Sequence, residues 1–401
     1  MNHRRIPMNP LHTLKLISLY SYSPLMAKKT KVLHVIHDLR CGGVEKLFLL
    51  IIDGLQKRGV VENVGCVMAD KLDFLSSGDA KIITLGLPIR DSILSIALMS
   101  PYELFVLMRT IMREDPDIIF AHNTSAEQLL ASIAGRILGK KVVVLKYEQR
   151  DTHHFGRRFI DPVNYSLCNK IVVISDATED EVVSMGVPRS KISHIRNGKQ
   201  KKQHMLSQKE ARDRLGLAQN GLILGMVDRM HPVKNHAGMI RAMKDVLAIQ
   251  DDAKLVIVGD DPVVSYKKSL EELVQKNGLE MNVIFLGERK DVEDIYPAFD
   301  IFVHPSFSEG GCPLAVLEAA CAGLPMVLGK VGGVKDLPEG CALMIQPKDD
   351  KALAEALKKL IKDPELRKEY GRKAKAVVRN ELSSDRMLEG YENLFKRLSE
   401  G

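Results

Sequence analysis

Ile301-Phe-Val-His304-Pro-Ser-Phe-Ser-Glu309-Gly310-Gly311-Cys312-Pro313-Leu314-Ala-Val-Leu-Glu318-Ala-Ala-Cys-Ala-Gly323-Leu-Pro-Met326-Val-Leu328 is the stretch that decides the fold. An apolar run ends at His304 and reads as a short buried strand. Two glycines follow, where the backbone can approach a neighbour closely. Pro313 fits the first position of a helix and Gly323 its end. Met326–Leu328 is a second apolar run. A strand, a loop, a helix and a strand in this order form an α/β unit, and buried strands alternating with helices indicate a parallel sheet covered on both faces.

The same grammar extends in both directions. Upstream, Val32–Ile36, Val61–Met68, Lys81–Leu85, Asp117–Ala121, Lys141–Leu145 and Lys170–Ile174 read as strands with helical patterns between several of them. The texture turns polar near residues 199–212. A second series follows: Leu222–Val227, Lys254–Val258, Asn282–Phe285, Ile301–His304, Met326–Leu328 and Ala342–Ile345. Asp349–Leu398 is helical and charged. Two doubly wound α/β domains in tandem are expected, with a cleft between the carboxyl ends of their strands.

Composition agrees. The 401 residues are 45% hydrophobic and 27% charged, with a mean hydropathy of −0.07, which excludes a disordered or fibrous chain. No run of about 18 uncharged apolar residues exists, so no membrane-spanning helix is indicated. Six cysteines without a CxxC pair exclude a zinc ribbon and a disulfide framework and fit a reducing compartment. A net charge of +7 suits phosphate-bearing ligands or an anionic surface, but lacks the clustering of a nucleic-acid binder. Residues 1–25 are cationic and interrupted at Lys15 and Pro24; they read as an appended tail or a targeting segment.

Chemistry gathers on two loops. In Gly225-Met-Val-Asp-Arg229-Met-His-Pro-Val-Lys234, a strand ends near Val227 and a helix starts near His236. Arg229 supplies a planar fork and Lys234 a point charge, a pairing that suits a diphosphate; two solvated surface cations fit the spacing as well. The helix starting near Pro313 offers free N–H groups to a phosphate. Glu318 lies about 7–8 Å further along its axis, at ~1.5 Å per residue. A carboxylate there could accept ribose hydroxyls; it also fits an exposed helix glutamate, but within an apolar turn it needs a partner. P-loop, GxGxxG, HExxH and GxSxG patterns are absent. Asp115-Pro-Asp117 reads as a turn into a strand rather than a metal-binding DxD.

Taken in order, Gly42-Gly43-Val-Glu45, His122, Asn197-Gly198, Arg229 with Lys234, and Glu309 through Glu318 resemble the retaining glycosyltransferases of family 4 (glycosyl transferases group 1), over about nine tenths of the chain. The resemblance implies the GT-B architecture, two Rossmann-like domains facing an interdomain cleft. It implies an N-terminal tail at 1–25, an acceptor domain at 26–200, a nucleotide-sugar domain at 201–380, and a C-terminal helix at 381–401 packing back on the first domain. The implied partners are a nucleotide-diphosphate sugar donor, a saccharide or lipid-linked acceptor, and an anionic membrane surface, with no nucleic acid. The implied setting is cytoplasmic, in cell-surface polysaccharide or lipopolysaccharide synthesis.

Residue by residue, the resemblance gives Arg229 and Lys234 the donor diphosphate and its departing charge. Glu318 takes the ribose, Glu309 a place beside the donor sugar, and His122 a place near the reacting sugar. Gly42 and Gly43 approach the phosphates from the first domain. Gly310, Gly311, Cys312, Pro313 and Leu314 line the donor site. No metal and no cofactor are implied. The family spaces its two glutamates eight positions apart, whereas Glu309 and Glu318 are nine apart; either Gly310-Gly311 loops out, or Glu309 is displaced. A sugar-nucleotide epimerase and a non-catalytic nucleotide-sugar binder are the alternatives on the same architecture.

Weaker signals remain. Glu148-Gln149-Arg150-Asp151 and His153-His154 would edge the cleft. Arg157-Arg158 and Lys199–Lys202 fit contact with anionic lipid or solvated surface charge.

Overall fold

The computed structural model describes residues 29–39, 42–69, 80–87, 101–122, 125–147, 157–200, 204–259, 261 and 264–400. The tail at 1–25 and the polar stretch Glu148–His154 lie outside the described residues.

The first sheet has seven strands: β1 (Thr30–Ile36), β2 (Val61–Ala69), β3 (Lys81–Leu87), β4 (Ile118–Ala121), β5 (Lys141–Lys146), β6 (Lys170–Val173) and β7 (Ile192–His194). Their order is β3-β2-β1-β4-β5-β6-β7, and every pairing is parallel. The second sheet has six: β8 (Ile223–Val227), β9 (Lys254–Val258), β10 (Val283–Gly287), β11 (Ile301–His304), β12 (Met326–Gly329) and β13 (Leu343–Ile345). Their order is β10-β9-β8-β11-β12-β13, again parallel throughout. The expected pair of Rossmann-like domains is therefore present. Strands β4 and β8 are buried along their whole length, the signature of a sheet covered on both faces.

Helices fill the crossovers: α1 (Gly43–Arg58), α2 (Pro101–Glu114), α3 (Ser125–Ile137), α4 (Arg157–Leu167) and α5 (Asp176–Ser184) belong to the first sheet. With the second run α6 (Gln208–Leu215), α7 (His236–Leu247), α8 (Val264–Lys276), α9 (Val292–Ile295), α10 (Leu314–Ala322), α11 (Asp350–Lys362) and α12 (Pro364–Asn380). In both sheets the strand order reverses once, between β1 and β4 and between β8 and β11. At such a switch point the neighbouring loops diverge and leave a crevice at the carboxyl ends of the strands. All the site residues expected from the two loops of the second domain follow β8 or β11.

The last helix, α13 (Ser384–Glu400), crosses back. Its apolar stripe includes the buried Met387, Leu388, Tyr391, Leu394 and Phe395. Tyr391 and Phe395 pack on Phe120 of β4, with ring centroids 5.5 and 5.7 Å apart. A Cβ at Gly54 of α1 would lie 2.5 Å from Leu388 Cδ1, so the missing side chain there lets the two helices touch. Arg58 adds ion pairs to Asp385 and Glu392. The two chain crossings between domains run side by side. Lys199 N–H donates to Leu382 O at 2.9 Å, and Ser384 N–H donates to Lys199 O at 3.3 Å. A Cβ at Gly198 would lie 2.3 Å from Ser383 O, so this close approach requires glycine.

Candidate active site

The loop after β8 is built by local chemistry. Pro232 opens a single 3-10 turn, Pro232–Lys234. Asn235 closes it in the left-handed conformation at φ 59°, and its side chain accepts from Gly238 N–H at 3.1 Å to cap α7. This turn swings Lys234 inward. Its Nζ lies 2.9 Å from Asp228 Oδ2 and 2.7 Å from Glu309 Oε1. Glu309 Oε1 also accepts from His304 Nε2, at 2.9 Å. The other ring nitrogen of His304 lies 3.3 Å from Asp228 Oδ2 without the alignment of a hydrogen bond. The proton of a neutral His304 therefore belongs on Nε2.

Lys234, Asp228, His304 and Glu309 thus form one ring of contacts across the switch point. Burial alone would raise the Glu309 carboxyl, but the Lys234 ammonium and the His304 bond outweigh it and hold it well below the usual carboxylate range. Burial would likewise lower Lys234, and the two carboxylates more than reverse this, so its proton is held more firmly than that of a free lysine. Asp228, His304 and Glu309 also present three ligand atoms within 4.8 Å of one another. The ammonium of Lys234 already contacts two of these three groups.

Glu309 reaches Lys234, while the double glycine bends toward the first domain. Gly310 O accepts from Ser175 Oγ at 2.5 Å, and Cys312 O accepts from Asn197 Nδ2 at 3.2 Å. A Cβ at Gly311 would lie 2.5 Å from Ile174 Cδ1. On the other side, Gly332 has φ 42°, and a Cβ there would lie 1.4 Å from Glu309 O. The turn is held between Ile174 and the Gly332-Gly333 pair.

Pro313 stands one residue before α10 rather than inside it, with ψ 146°; its carbonyl still accepts from Leu317 N–H at 3.1 Å. Gly323 ends the helix in the left-handed conformation, φ 79°. Leu314 and Cys312 are buried, and burial pushes the Cys312 thiol up, which leaves it an uncharged packing group. Glu318 is only 6% exposed, and its partners are present. Lys199 Nζ lies 3.2 Å from Oε1, and Tyr296 Oη donates to Oε2 at 2.9 Å.

Other expected residues divide. Arg229 is exposed, and its side chain has no ion pair among the described residues. Gly42 is the extended residue before α1, with no side-chain cap, and Gly43 begins that helix at the end of the first sheet's switch strand β1. His122 follows β4 and is fully buried, among Phe48, Phe120 and His34. Its Nε2 lies 3.1 Å from His34 Nδ1, and His34 Nε2 lies 2.9 Å from Asn63 Oδ1. Burial lowers both histidines, His34 to about 4, so both rings are neutral at pH 7. Asn63 can only accept through Oδ1; the proton order that follows leaves His122 Nδ1 as a lone pair. That atom has no hydrogen-bond partner among the described residues.

Lys199, one of the cations read as surface charge or a lipid contact, is drawn inward to Glu318 and Glu293. Sequence reasoning missed Asp228, His304, Tyr296 and Lys199 as site residues. The only signal was the isolated charge of Glu318, which demanded a partner without naming it.

Comparison with known proteins agrees with this geometry. Residues 207–377 match the family model for glycosyl transferases group 1, and residues 41–199 match that for glycosyltransferase family 4. The lipopolysaccharide core biosynthesis glycosyltransferase LpsD of Rhizobium meliloti is 26% identical over 374 residues, 92% of this chain and 98% of that protein. The UDP-Gal:alpha-D-GlcNAc-diphosphoundecaprenol alpha-1,3-galactosyltransferase of Escherichia coli is 27% identical over 243 residues, 57% of this chain and 62% of its own. Among solved structures, Anabaena HepE in complex with UDP and glucose superposes with a TM-score of 0.79 at 22% identity, covering 92% of this chain and 99% of that one. The two family models together cover most of both domains and define a two-domain glycosyltransferase. The chain belongs to the GT-B glycosyltransferases of the group 1 and family 4 type.

Proposed function

We propose that the protein transfers a sugar, with retention, from a nucleoside-diphosphate donor to a saccharide or lipid-linked acceptor during assembly of a cell-surface polysaccharide or lipopolysaccharide. The observation that carries this reading is the Lys234–Glu309 contact at the switch point, one loop from the open end of α10. As the anomeric C–O bond breaks, negative charge builds on the diphosphate. Lys234, Arg229 and the backbone N–H groups of Gly310, Gly311, Cys312 and Leu314 are the donors for that charge. Because an ammonium already sits against both acids of the ring, it supplies the positive charge that a metal ion provides elsewhere. Glu318 binds the ribose, Glu309 lies beside the donor sugar, and Gly42 and Gly43 close over the phosphates from the first domain. His122, at the end of β4, lies near the reacting sugar.

The acceptor oxygen forms its bond to the anomeric carbon on the face the diphosphate leaves, and its proton passes to a diphosphate oxygen. The relatives named for lipid-linked and lipopolysaccharide substrates support the acceptor class. No described helix is long and apolar enough to cross a membrane. Tyr102, Phe105 and Met112 on α2, with Phe159 and Val163 on α4, are exposed and support a peripheral contact with an anionic membrane.

The test is Arg229→Ala, assayed with a nucleotide sugar and acceptor and with the donor alone. Its side chain has no ion pair among the described residues, so stability should hold within ~0.5 kcal/mol of the original. Transfer should fall by about 10²–10³. Near-normal transfer by the folded variant removes the diphosphate assignment, and conversion of the donor alone replaces transfer with epimerisation.

A further inference from the structure

Glu318 is buried with both carboxylate oxygens already engaged, by groups that are themselves rigid. Lys199 Nζ contacts Oε1, and its second partner is Glu293 on α9. The backbone of Lys199 is fixed on both sides by Leu382 and Ser384 at the domain crossing. Tyr296 is 1% exposed, and its ring packs on Phe299 and Phe302 at centroid distances of 6.2 and 5.7 Å. A carboxylate carries about four lone-pair sites. Lys199 and Tyr296 occupy two, one on each oxygen. Two remain, again one on each oxygen, at a spacing set by the carboxylate itself. This is the pattern that a vicinal diol requires.

We propose that Lys199 and Tyr296 are positioning residues for ribose recognition: they lock the Glu318 carboxylate so that its two free lone pairs meet the 2′ and 3′ hydroxyls of a ribonucleotide. Lys199 also ties that recognition to the segment where the chain passes between domains. The inference rests on the ribose role given to Glu318 above. Without Lys199 the glutamate is an uncompensated charge near the interior, and it must protonate or swing toward water. Without the Tyr296 hydroxyl it keeps its charge and loses its orientation.

Four proteins decide the matter: the original, Lys199→Met, Lys199→Arg and Tyr296→Phe. Calorimetric titration with UDP, GDP and ADP identifies the tightest diphosphate, which is then compared with its 2′,3′-dideoxy form. The original should prefer the ribose form by tenfold or more. In Lys199→Met and Tyr296→Phe the ribose form should bind about tenfold to a hundredfold more weakly, the loss expected for one hydrogen bond to a charged group. The dideoxy form should bind unchanged, and Lys199→Arg should recover part of the loss. In turnover the donor KM should rise with kcat nearly kept.

Equal weakening of both ligand forms, or of neither, assigns the two residues to structural support and overturns the proposal. If Lys199→Met does not fold, Tyr296→Phe, which removes a single oxygen, carries the same comparison. If the original binds diphosphates without preferring ribose, the ribose role of Glu318 falls and the positioning role with it. If it binds no diphosphate, the donor reading itself falls.

Discussion

Replacing Lys234 with Met removes one cation from between two shielded carboxylates. The lysine is 13% exposed, Asp228 13% and Glu309 12%. Deleting one partner of a buried ion pair costs ~3–5 kcal/mol. At ~2–4 °C per kcal/mol for a domain of this size, the melting temperature should fall by about 6–20 °C. The pH dependence is the sharper signature. In the original, the folded Glu309 is depressed below its unfolded value by Lys234 and His304 despite burial. That stabilisation is complete above the unfolded carboxylate pKa of ~4.3 and is lost as pH falls through the folded value. In the variant, burial acts with less opposition, so the folded pKa moves up. The difference in melting temperature between the two proteins should thus be wide at pH 7–8 and should narrow toward pH 4. Calorimetric scans at several pH values measure it directly, and transfer assayed below the variant's transition should drop by about 10²–10³. A gap that stays constant with pH, or an unchanged melting temperature, would refute the central ring.

Three further outcomes follow from the packing. Gly332→Ala must displace the backbone of Glu309, because its Cβ would lie 1.4 Å from Glu309 O at φ 42°; transfer should collapse and stability fall by ~1–3 kcal/mol, and a variant with normal turnover contradicts the close approach. Phe395→Ala, at a fully buried site on the first sheet, should cost ~3–5 kcal/mol; limited proteolysis should then cut the amino-terminal half first, and unchanged protection there argues against the crossover. The neutral burial of His34, lowered to about 4 from 6.5, means the unfolded chain binds the extra proton between those values. Stability should therefore fall as pH drops from 6.5 toward 4; His34→Gln should flatten that slope in urea titrations, and an unaltered slope assigns it to other groups.

The fold was legible because buried parallel strands announce themselves as short apolar runs between helical periods. Twelve strands were read in this way. The thirteenth, Ile192–His194, was not, because three residues with a central serine carry no pattern. The two cationic loops were legible as residue types on strand-to-helix turns. Their wiring was not: Lys234 meets Glu309 from 75 positions away, and Lys199 meets Glu318 from 119. Local periodicity contains no information about such closures. Gly310-Gly311 could be read as an irregular spacing, but its contacts with Ile174, Ser175 and Asn197 of the other domain could not. The resemblance implied that the last helix packs back on the first domain, but not that Phe120 receives it.

The crossover of that last helix has a consequence for synthesis. The strands β1 and β4 leave the ribosome early, yet the seventeen residues of α13 that cover them come last. At ~5–20 residues per second, the roughly 260 residues between β4 and α13 take about 13–52 s to make. Throughout that interval the nascent amino-terminal half presents an uncovered aromatic face, while the downstream half can complete its own sheet. The order of maturation is thereby inverted: the part translated first is the part finished last.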